Sequence, residues 1–230
     1  MLGLPDPIRA CLFDLDGVLT KTAVVHSRAW KQLFDEYLDQ RGGEHEPFTD
    51  RDYEEHIDGL PRYDGVRNFL KSRGIEVDDA EVHRLGDRKN ELVQELIERD
   101  GVEAYEGSVR YVNAARDAGL RRAVVSSSTN CVQVLEAAGI LDLFEEIVDG
   151  HVVSEQGLRG KPAPDTFLEG ARRLGLAPTE AAVFEDAIAG VEAGRAGGFG
   201  FVVGVDRVGH RDALLAHGAD VVVEDLAELL

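Results

Sequence analysis

Two aspartates, Asp14 and Asp16, directly follow the apolar run 8–13, and their type and spacing suit catalysis. Residues two apart in extended backbone face the same side, and carboxylates beside a buried strand need a compensating partner. Mg²⁺ is a suitable partner, because it binds one or two carboxylates together with water and phosphate oxygens. The pair therefore predicts a magnesium-dependent site for phosphoryl transfer.

The two aspartates are expected to divide the chemistry between them. A bound cation lowers the repulsion between a carboxylate and a phosphate, so Asp14 can act as the nucleophile and form an aspartyl-phosphate. Asp16 would then protonate the leaving oxygen and later deprotonate the incoming hydroxyl.

Four more polar residues stand where they could complete this site. Glu185 and Asp186 end another apolar run and would add carboxylates on the metal side. Ser126 offers a hydroxyl beside backbone N–H groups at a strand-to-helix turn, which suits an anion. Lys161 supplies a point charge that can neutralise both the phosphate and Asp14.

The elements that must position these residues alternate along the chain. Apolar runs without polar alternation, typical of a parallel sheet covered on both faces, occur at 8–13, 123–125, 147–148, 182–184, 199–205 and 221–223. Helical patterns that end at a glycine cover 108–118, 130–138, 165–174 and 187–196. This alternation predicts an α/β fold with a doubly wound, Rossmann-like parallel sheet, in which ligands bind beyond the carboxyl ends of the strands.

Residues 22–100 differ from the rest of the chain, because they contain helical patterns and no convincing strand. The predicted helices are 23–37, 62–71 and 82–98, with a linking stretch at 41–52 that is rich in Gly, Pro and charge. We therefore expect a helical cap domain, residues 21–100, inserted after the first strand. The α/β core domain would comprise residues 1–20 and 101–230.

Composition narrows the possible partners and the compartment. The 230 residues carry a formal net charge of −19, and such a surface repels nucleic acids and anionic membranes. The two cysteines, Cys11 and Cys131, form no metal-ligand cluster, and there is neither a clear signal peptide nor a membrane-length apolar run. We expect a cytoplasmic protein, monomeric or weakly dimeric, that acts on a small molecule.

The motifs resemble those of the haloacid dehalogenase superfamily of phosphohydrolases and phosphomutases. Asp14 and Asp16 in FDLDGV look like its first motif, Ser126 its second, Lys161 its third, and the Glu185–Asp186 pair its fourth. The resemblance implies that Asp186 and the backbone carbonyl of Asp16 help to hold Mg²⁺, and Asp14 and Glu185 are the further predicted metal ligands.

Within that superfamily the chain resembles the β-phosphoglucomutase-like subfamily. The resemblance rests on stretches around Thr22, His26 and Trp30, on Gly59 to Arg62, on Lys89 and Asn90, and on Ser126 to Asn130. By resemblance, Arg62, Ser128 and Asn130 would bind the phosphate that is not transferred, and Lys89 would lie at the sugar.

The remaining residues that this resemblance marks have smaller expected roles. Thr22 and His26 would flank the cap hinge and assist proton transfer. Asn90, Ser127 and Trp30 are candidate substrate contacts, although the spacing of Trp30 from His26 also suits packing within the cap.

Three departures from the subfamily leave the substrate open. Lys21 replaces an acidic residue, Thr129 replaces a lysine expected at the second phosphate, and the stretch 41–55 is longer than in compact members. The expected activity is conversion of β-glucose 1-phosphate to glucose 6-phosphate. A sugar-phosphate phosphatase is the alternative, which Thr129 favours. A non-catalytic binding module is a third reading, but it would be expected to lack one of the catalytic carboxylates.

Overall fold

A six-stranded parallel sheet lies at the centre of the structure, a computed structural model that describes residues 2–43, 45–58 and 60–230. The strands are β1 Ala10–Phe13, β2 Arg121–Val125, β3 Glu146–Val148, β4 Ala181–Glu185, β5 Phe201–Val205 and β6 Val221–Val223. Their order is β3-β2-β1-β4-β5-β6. The chain winds outward in one direction from β1 and in the other from β4, so the predicted doubly wound sheet is confirmed and its switch point lies between these two strands.

Helices cover both faces of the sheet and form the insertion after β1. Between β1 and β2 the structure has α1 Thr22–Arg41, α2 Asp50–His56, α3 Arg62–Ser72, α4 Asp79–Asp100 and α5 Glu106–Asp117. The later helices are α6 Cys131–Ala137, α7 Gly150–Gln156, α8 Asp165–Arg173, α9 Ile188–Ala196 and α10 Arg211–Ala216. Short 3₁₀ turns occupy Leu141–Leu143, Pro178–Glu180 and Leu226–Leu229.

Strand β1 shows why its residues form a central strand. All four are completely buried, and successive side chains enter different apolar clusters on the two faces of the sheet. Cys11 and Phe13 join the cluster that continues into the insertion, whereas Ala10 and Leu12 join one beneath α8 that contains Phe167. Because this strand is buried on both faces, the next residue, Asp14, has a fixed position at the carboxyl end of the sheet.

The insertion, α1 to α4, is helical as predicted, and its described residues contain no strand. Its core is aromatic: the ring of Phe34 lies 4.1 Å from that of Phe69, 5.2 Å from that of Trp30 and 5.5 Å from that of Phe48. The prediction of a linker at 41–52 is partly wrong, because α2 begins at Asp50, where Thr49 and Asp52 form a capping box. Helices α7 and α10 were not predicted.

The chain crosses between the insertion and the sheet at two adjacent points. Lys21 N donates to Glu103 O at 2.9 Å, Tyr105 N donates to Leu19 O at 2.9 Å, and Thr20 forms an antiparallel bridge with Ala104. The crossings therefore form a short ladder beside the expected domain boundaries. No helix in the described part of the chain has the length and apolar character needed to cross a membrane.

Candidate active site

Asp14 is fixed at the carboxyl end of β1 and faces a buried lysine. Its backbone N donates to Phe184 O of β4 at 2.9 Å, which locks the start of the loop to the neighbouring strand. Lys161, from the loop before α8, donates from Nζ to Asp14 Oδ1 and to Glu185 Oε1, each at 2.5 Å, and to Val125 O at 3.2 Å. One ammonium group thus joins residues at the carboxyl ends of β1, β2 and β4.

The charges of this cluster depend on one another because all three side chains are buried. Burial raises the pKa of Asp14 well above its usual value, and the Glu185 carboxylate adds to the rise while Lys161 opposes it. Burial also opposes the charge of Lys161, but Asp14 and Glu185 outweigh it, so the pKa of Lys161 is raised. Lys161 therefore stays charged and places a cation beside the buried carboxyl group of Asp14.

Asp14, Glu185 and Asp186 are close enough to share a divalent cation. Each offers a carboxylate oxygen, and these oxygens lie within 4.8 Å of one another. Glu185 is committed elsewhere, since Oε1 accepts from Lys161 and Oε2 accepts from Ala187 N at 2.9 Å. Asp186, in contrast, accepts no hydrogen bond among the described residues, although burial and neighbouring carboxylates raise its pKa. A buried acid with only acidic neighbours fits a metal ligand.

Glycine at position 17 allows the loop after Asp16 to approach Asp186. Gly17 has φ +84°, and a Cβ atom placed on it would lie 1.7 Å from Asp186 Oδ2. No side chain fits there, and positive φ is strained for residues other than glycine. The loop that carries the first motif therefore packs directly against Asp186 of the fourth motif.

The side chain of Asp16 is not part of the cluster formed by Asp14, Glu185 and Asp186. Its Oδ1 accepts a hydrogen bond from Thr22, whose hydroxyl is 2.7 Å from that of Thr20, and it lies 3.7 Å from His26 Nε2. These neighbours suit a proton carrier better than a metal ligand. A metal contact through the backbone carbonyl of Asp16 stays a prediction.

His26 connects Asp16 to a second buried cation, Lys89. Lys89 Nζ lies 3.1 Å from His26 Nδ1 and 4.9 Å from the centre of the Trp30 ring. Burial lowers the pKa of Lys89 to about 7, with Asp16 opposing the shift, and burial followed by the Lys89 charge lowers the pKa of His26 to about 4. His26 is therefore neutral at physiological pH, and Lys89 changes its charge easily.

A cleft of about 410 Å³ lies between the carboxyl ends of the strands and the insertion. Among the predicted site residues, it is lined by Asp14, Asp16, His26, Trp30, Arg62, Lys89, Asn90, Ser127, Ser128, Asn130, Glu185 and Asp186. Thr22, Ser126 and Lys161 are not among the described residues that line it, and all three are buried behind the wall. Gly59, part of the predicted cap stretch, is outside the described residues.

The loop after β2 is held in shape by its own hydroxyl groups. Ser128 N donates to Ser126 Oγ at 3.1 Å, and Asn130 N donates to Ser128 Oγ at 3.1 Å. Asn130 Nδ2 then donates to Asn90 Oδ1 of α4 at 2.8 Å, which joins the core side of the cleft to the insertion. Ser126 Oγ thus orients the loop, so a direct role of this hydroxyl on phosphate stays a prediction.

The arrangement matches a known family of phosphoryl-transfer proteins. Residues 8–198 match the haloacid dehalogenase-like hydrolase family, and this stretch includes all four motifs. The chain belongs to the haloacid dehalogenase-like family.

Relatives within the haloacid dehalogenase-like family are similar along the whole chain. The β-phosphoglucomutase of Mycobacterium bovis is 50% identical over 100% of this chain and 94% of its own length, and that of Bacillus subtilis is 36% identical over 96% and 92%. A β-phosphoglucomutase structure from Clostridium difficile superposes with a TM-score of 0.81 at 28% identity, covering 97% of this chain and 93% of that one.

Phosphatases also occur among the relatives. A phosphorylated carbohydrates phosphatase from Thermotoga maritima is 29% identical over 94% of each chain. The chain is therefore an enzyme of phosphoryl transfer, either a phosphomutase or a phosphatase.

Four residues of this haloacid dehalogenase-like site were missed from the sequence. Tyr53, Asp58 and His151 line the cleft, and Asp58 adds to the rise in the pKa of Asp186. Arg207 donates from Nε to Gly17 O at 2.8 Å and stacks 3.6 Å from the ring centre of Tyr105. None of them lies in one of the four motifs. Two could have been noticed in the sequence: Asp58 lies four residues before Arg62, and Arg207 closely follows the apolar run 199–205.

Proposed function

We propose that this enzyme is a β-phosphoglucomutase that converts β-glucose 1-phosphate to glucose 6-phosphate. The observation that carries the proposal is the cleft itself, which offers an anion site on each side. On the core side the transferring phosphate would lie at Asp14, with Lys161 buried behind it, and the insertion side has Arg62 and Lys89, which form no ion pair among the described residues. A mutase needs two anion sites because its sugar bisphosphate intermediate has to bind in both orientations.

Asp14 is the proposed nucleophile. Lys161 occupies Oδ1 and leaves Oδ2 without a hydrogen bond to any described residue, so Oδ2 is the atom that attacks phosphorus while the bond to the leaving oxygen breaks. Asp14 and Asp186 would hold Mg²⁺, with the Asp16 carbonyl as a third ligand. When bound, Mg²⁺ would reduce the repulsion between the carboxylate and the phosphate. Lys161 stabilises the charge on the transferring group.

Asp16 is the proposed acid and base. It gives its proton to the sugar oxygen that leaves phosphorus and takes a proton from the hydroxyl that attacks phospho-Asp14. Thr22 fixes its orientation by donating to Oδ1. His26 and Lys89 would return protons to Asp16, because they lie on its cleft side in a chain of close contacts.

The catalytic cycle then needs two transfers. Phospho-Asp14 passes its phosphoryl group to the C6 hydroxyl of β-glucose 1-phosphate, and Asp16 takes the hydroxyl proton. The resulting bisphosphate turns round, Asp14 accepts the C1 phosphoryl group, and Asp16 protonates the C1 oxygen to release glucose 6-phosphate. We propose that the insertion closes over the core during each transfer and excludes water, which would otherwise hydrolyse phospho-Asp14.

A sugar-phosphate phosphatase is a second candidate, since Thr129 brings no cation to the wall where the second phosphate would bind. In that case water takes the phosphoryl group from Asp14. Incubation with Mg²⁺, β-glucose 1-phosphate and a trace of glucose 1,6-bisphosphate separates the two. Glucose 6-phosphate formed without equivalent free phosphate supports the mutase, whereas free phosphate without isomerised sugar supports the phosphatase.

A further inference from the structure

The core wall of the cleft is built from two segments in close contact. Gly150 N, at the start of α7, donates to Ser128 O at 3.1 Å. A Cβ atom placed on Gly150 would lie 2.8 Å from Thr129 Cγ2 and 2.9 Å from Thr129 N. The next residue, His151, is therefore next to the loop 127–130, and both segments line the cleft.

The main chain of His151 is fixed while its imidazole is free. His151 N donates to Asp149 Oδ1 at 3.1 Å, and the adjacent Val152 N donates to the same oxygen at 3.0 Å. The imidazole is exposed, and it has no hydrogen bond, ion pair or ring contact with any residue that the structure describes. A side chain on a rigid support with unused ring nitrogens can bind a ligand at little conformational cost.

His151 also differs chemically from its neighbours on this wall. Ser127, Ser128, Thr129 and Asn130 provide hydroxyl, amide and backbone groups, and the described cations Arg62 and Lys89 come from the insertion. Among the described residues that the core contributes to the lining, His151 is the basic one. An anion held between the two walls would have cations on the insertion side and His151 facing it from the core.

We propose that His151 binds the phosphoryl group of the sugar phosphate that is not being transferred, by donating an imidazole N–H to a phosphate oxygen. This role rests on the proposed function, which supplies a substrate with a second phosphate. His151 is then a specificity-determining residue: it provides an imidazole N–H donor on the wall where Thr129 stands in place of a lysine. This contact favours ligands that carry a phosphate away from the transferring group over ligands, such as p-nitrophenyl phosphate, that do not.

Equilibrium binding in an Asp14→Asn background, where no transfer takes place, tests this assignment. The probes are glucose 1,6-bisphosphate and p-nitrophenyl phosphate, each titrated calorimetrically in the presence of Mg²⁺. His151→Ala should lower the ratio of bisphosphate affinity to p-nitrophenyl phosphate affinity about tenfold, as expected for the loss of one charge-assisted hydrogen bond. His151→Lys should restore most of the ratio.

A matched control is His217→Ala, since His217 is an exposed histidine that directly follows α10 and pairs with Glu192. An unchanged ratio in His151→Ala, or an equal change in His217→Ala, would overturn the assignment. The test is independent of turnover. If the native enzyme releases phosphate and never isomerises the sugar, the proposed function fails, while the binding ratio still decides the role of His151.

Discussion

Asp14 and Lys161 form a buried ion pair at the centre of the proposed catalytic site. Burial disfavours the charged form of each group, and the charge of each group favours the charged form of the other. Glu185 accepts a second hydrogen bond from the same ammonium group. The consequence is a lysine whose orientation is fixed by two acids, which leaves one oxygen of Asp14 for chemistry.

The nucleophile can be tested by Asp14→Asn. The amide retains the shape and a hydrogen bond acceptor for Lys161 but cannot form an acyl phosphate, so turnover should fall by at least about 10³-fold. Circular dichroism and thermal unfolding should remain close to the native protein. Asp142→Asn, on an exposed 3₁₀ turn, is the control. Substantial turnover in Asp14→Asn would falsify the nucleophile assignment.

Lys89 is a residue whose function conflicts with stability. Its pKa falls from 10.5 to about 7 because burial penalises its charge. Between these two pH values the unfolded chain binds a proton that the folded protein does not, so folded stability decreases as pH falls through this window. The full penalty is present below about pH 7 and is absent above about pH 10.5.

Lys89→Met should therefore stabilise the protein and impair it as an enzyme. The expected gain in unfolding free energy near pH 7 is about 2 to 4 kcal/mol, from roughly 1.4 kcal/mol per pKa unit, and it should shrink towards zero near pH 10. The KM for the sugar phosphate should rise because an anion-binding cation is lost. Urea denaturation at several pH values measures the first effect. Lys71→Met, at an exposed position on α3, should show no such pH-dependent gain.

The helices and strands that the sequence predicts correctly are those with strong patterns. Strands buried on both faces, such as β1, and long amphipathic helices, such as α4, carry strong patterns, and both were found within a few residues. Helix α7 was missed because its seven residues give no periodicity, and its start depends on the Asp149 side chain accepting from two backbone N–H groups. His151 was not assigned a role from the sequence, because its place in the cleft depends on the contact between α7 and the loop after β2.

Arg207 joins three segments that the sequence separates widely. Besides Gly17 O, it donates to Glu224 O at 2.6 Å, and it stacks on Tyr105 next to the crossing from the insertion. The guanidinium group therefore holds the loop after Asp16 against the segments that carry Glu224 and Tyr105. Its planar fork permits these contacts together, which a lysine cannot reproduce.

Arg207→Lys should consequently disturb the metal site more than substrate binding. We expect kcat to fall about tenfold with KM changed less than about threefold, because Gly17 loses its fixed position against Asp186. Binding of Mn²⁺, measured by electron paramagnetic resonance without substrate, should weaken several-fold. Arg195→Lys, which alters an exposed pair with Asp220, should leave both measurements unchanged. Native Mn²⁺ affinity in Arg207→Lys would rule out this positioning role.

At the scale of the whole molecule, the net charge opposes the proposed substrate, and the cations that face the cleft come from the insertion. The net charge of −19 repels a phosphorylated sugar at a distance. Arg62 and Lys89 lack acidic partners among the described residues, so their charge is available to an anion there. Both belong to the insertion, so an anion bound between them and the core wall would favour the closure that we propose.

Gly160 lies where the insertion meets the core loop that carries Lys161. A Cβ atom placed on Gly160 would be 2.2 Å from Pro61 Cγ, just before α3. A side chain at position 160 would therefore hold the two parts of the molecule apart. Water would then reach phospho-Asp14 more often during the cycle, because exclusion of water depends on complete closure.

Gly160→Ala and Gly160→Val should increase hydrolysis relative to isomerisation, and valine should do so more strongly because it is larger. The ratio of free phosphate to glucose 6-phosphate formed from β-glucose 1-phosphate measures the effect, and we expect a rise of about tenfold for valine. Pro61→Gly combined with Gly160→Ala should lower the ratio again, since it removes the ring that the new methyl group contacts. If the two substitutions act additively instead, the contact between Pro61 and position 160 does not control closure.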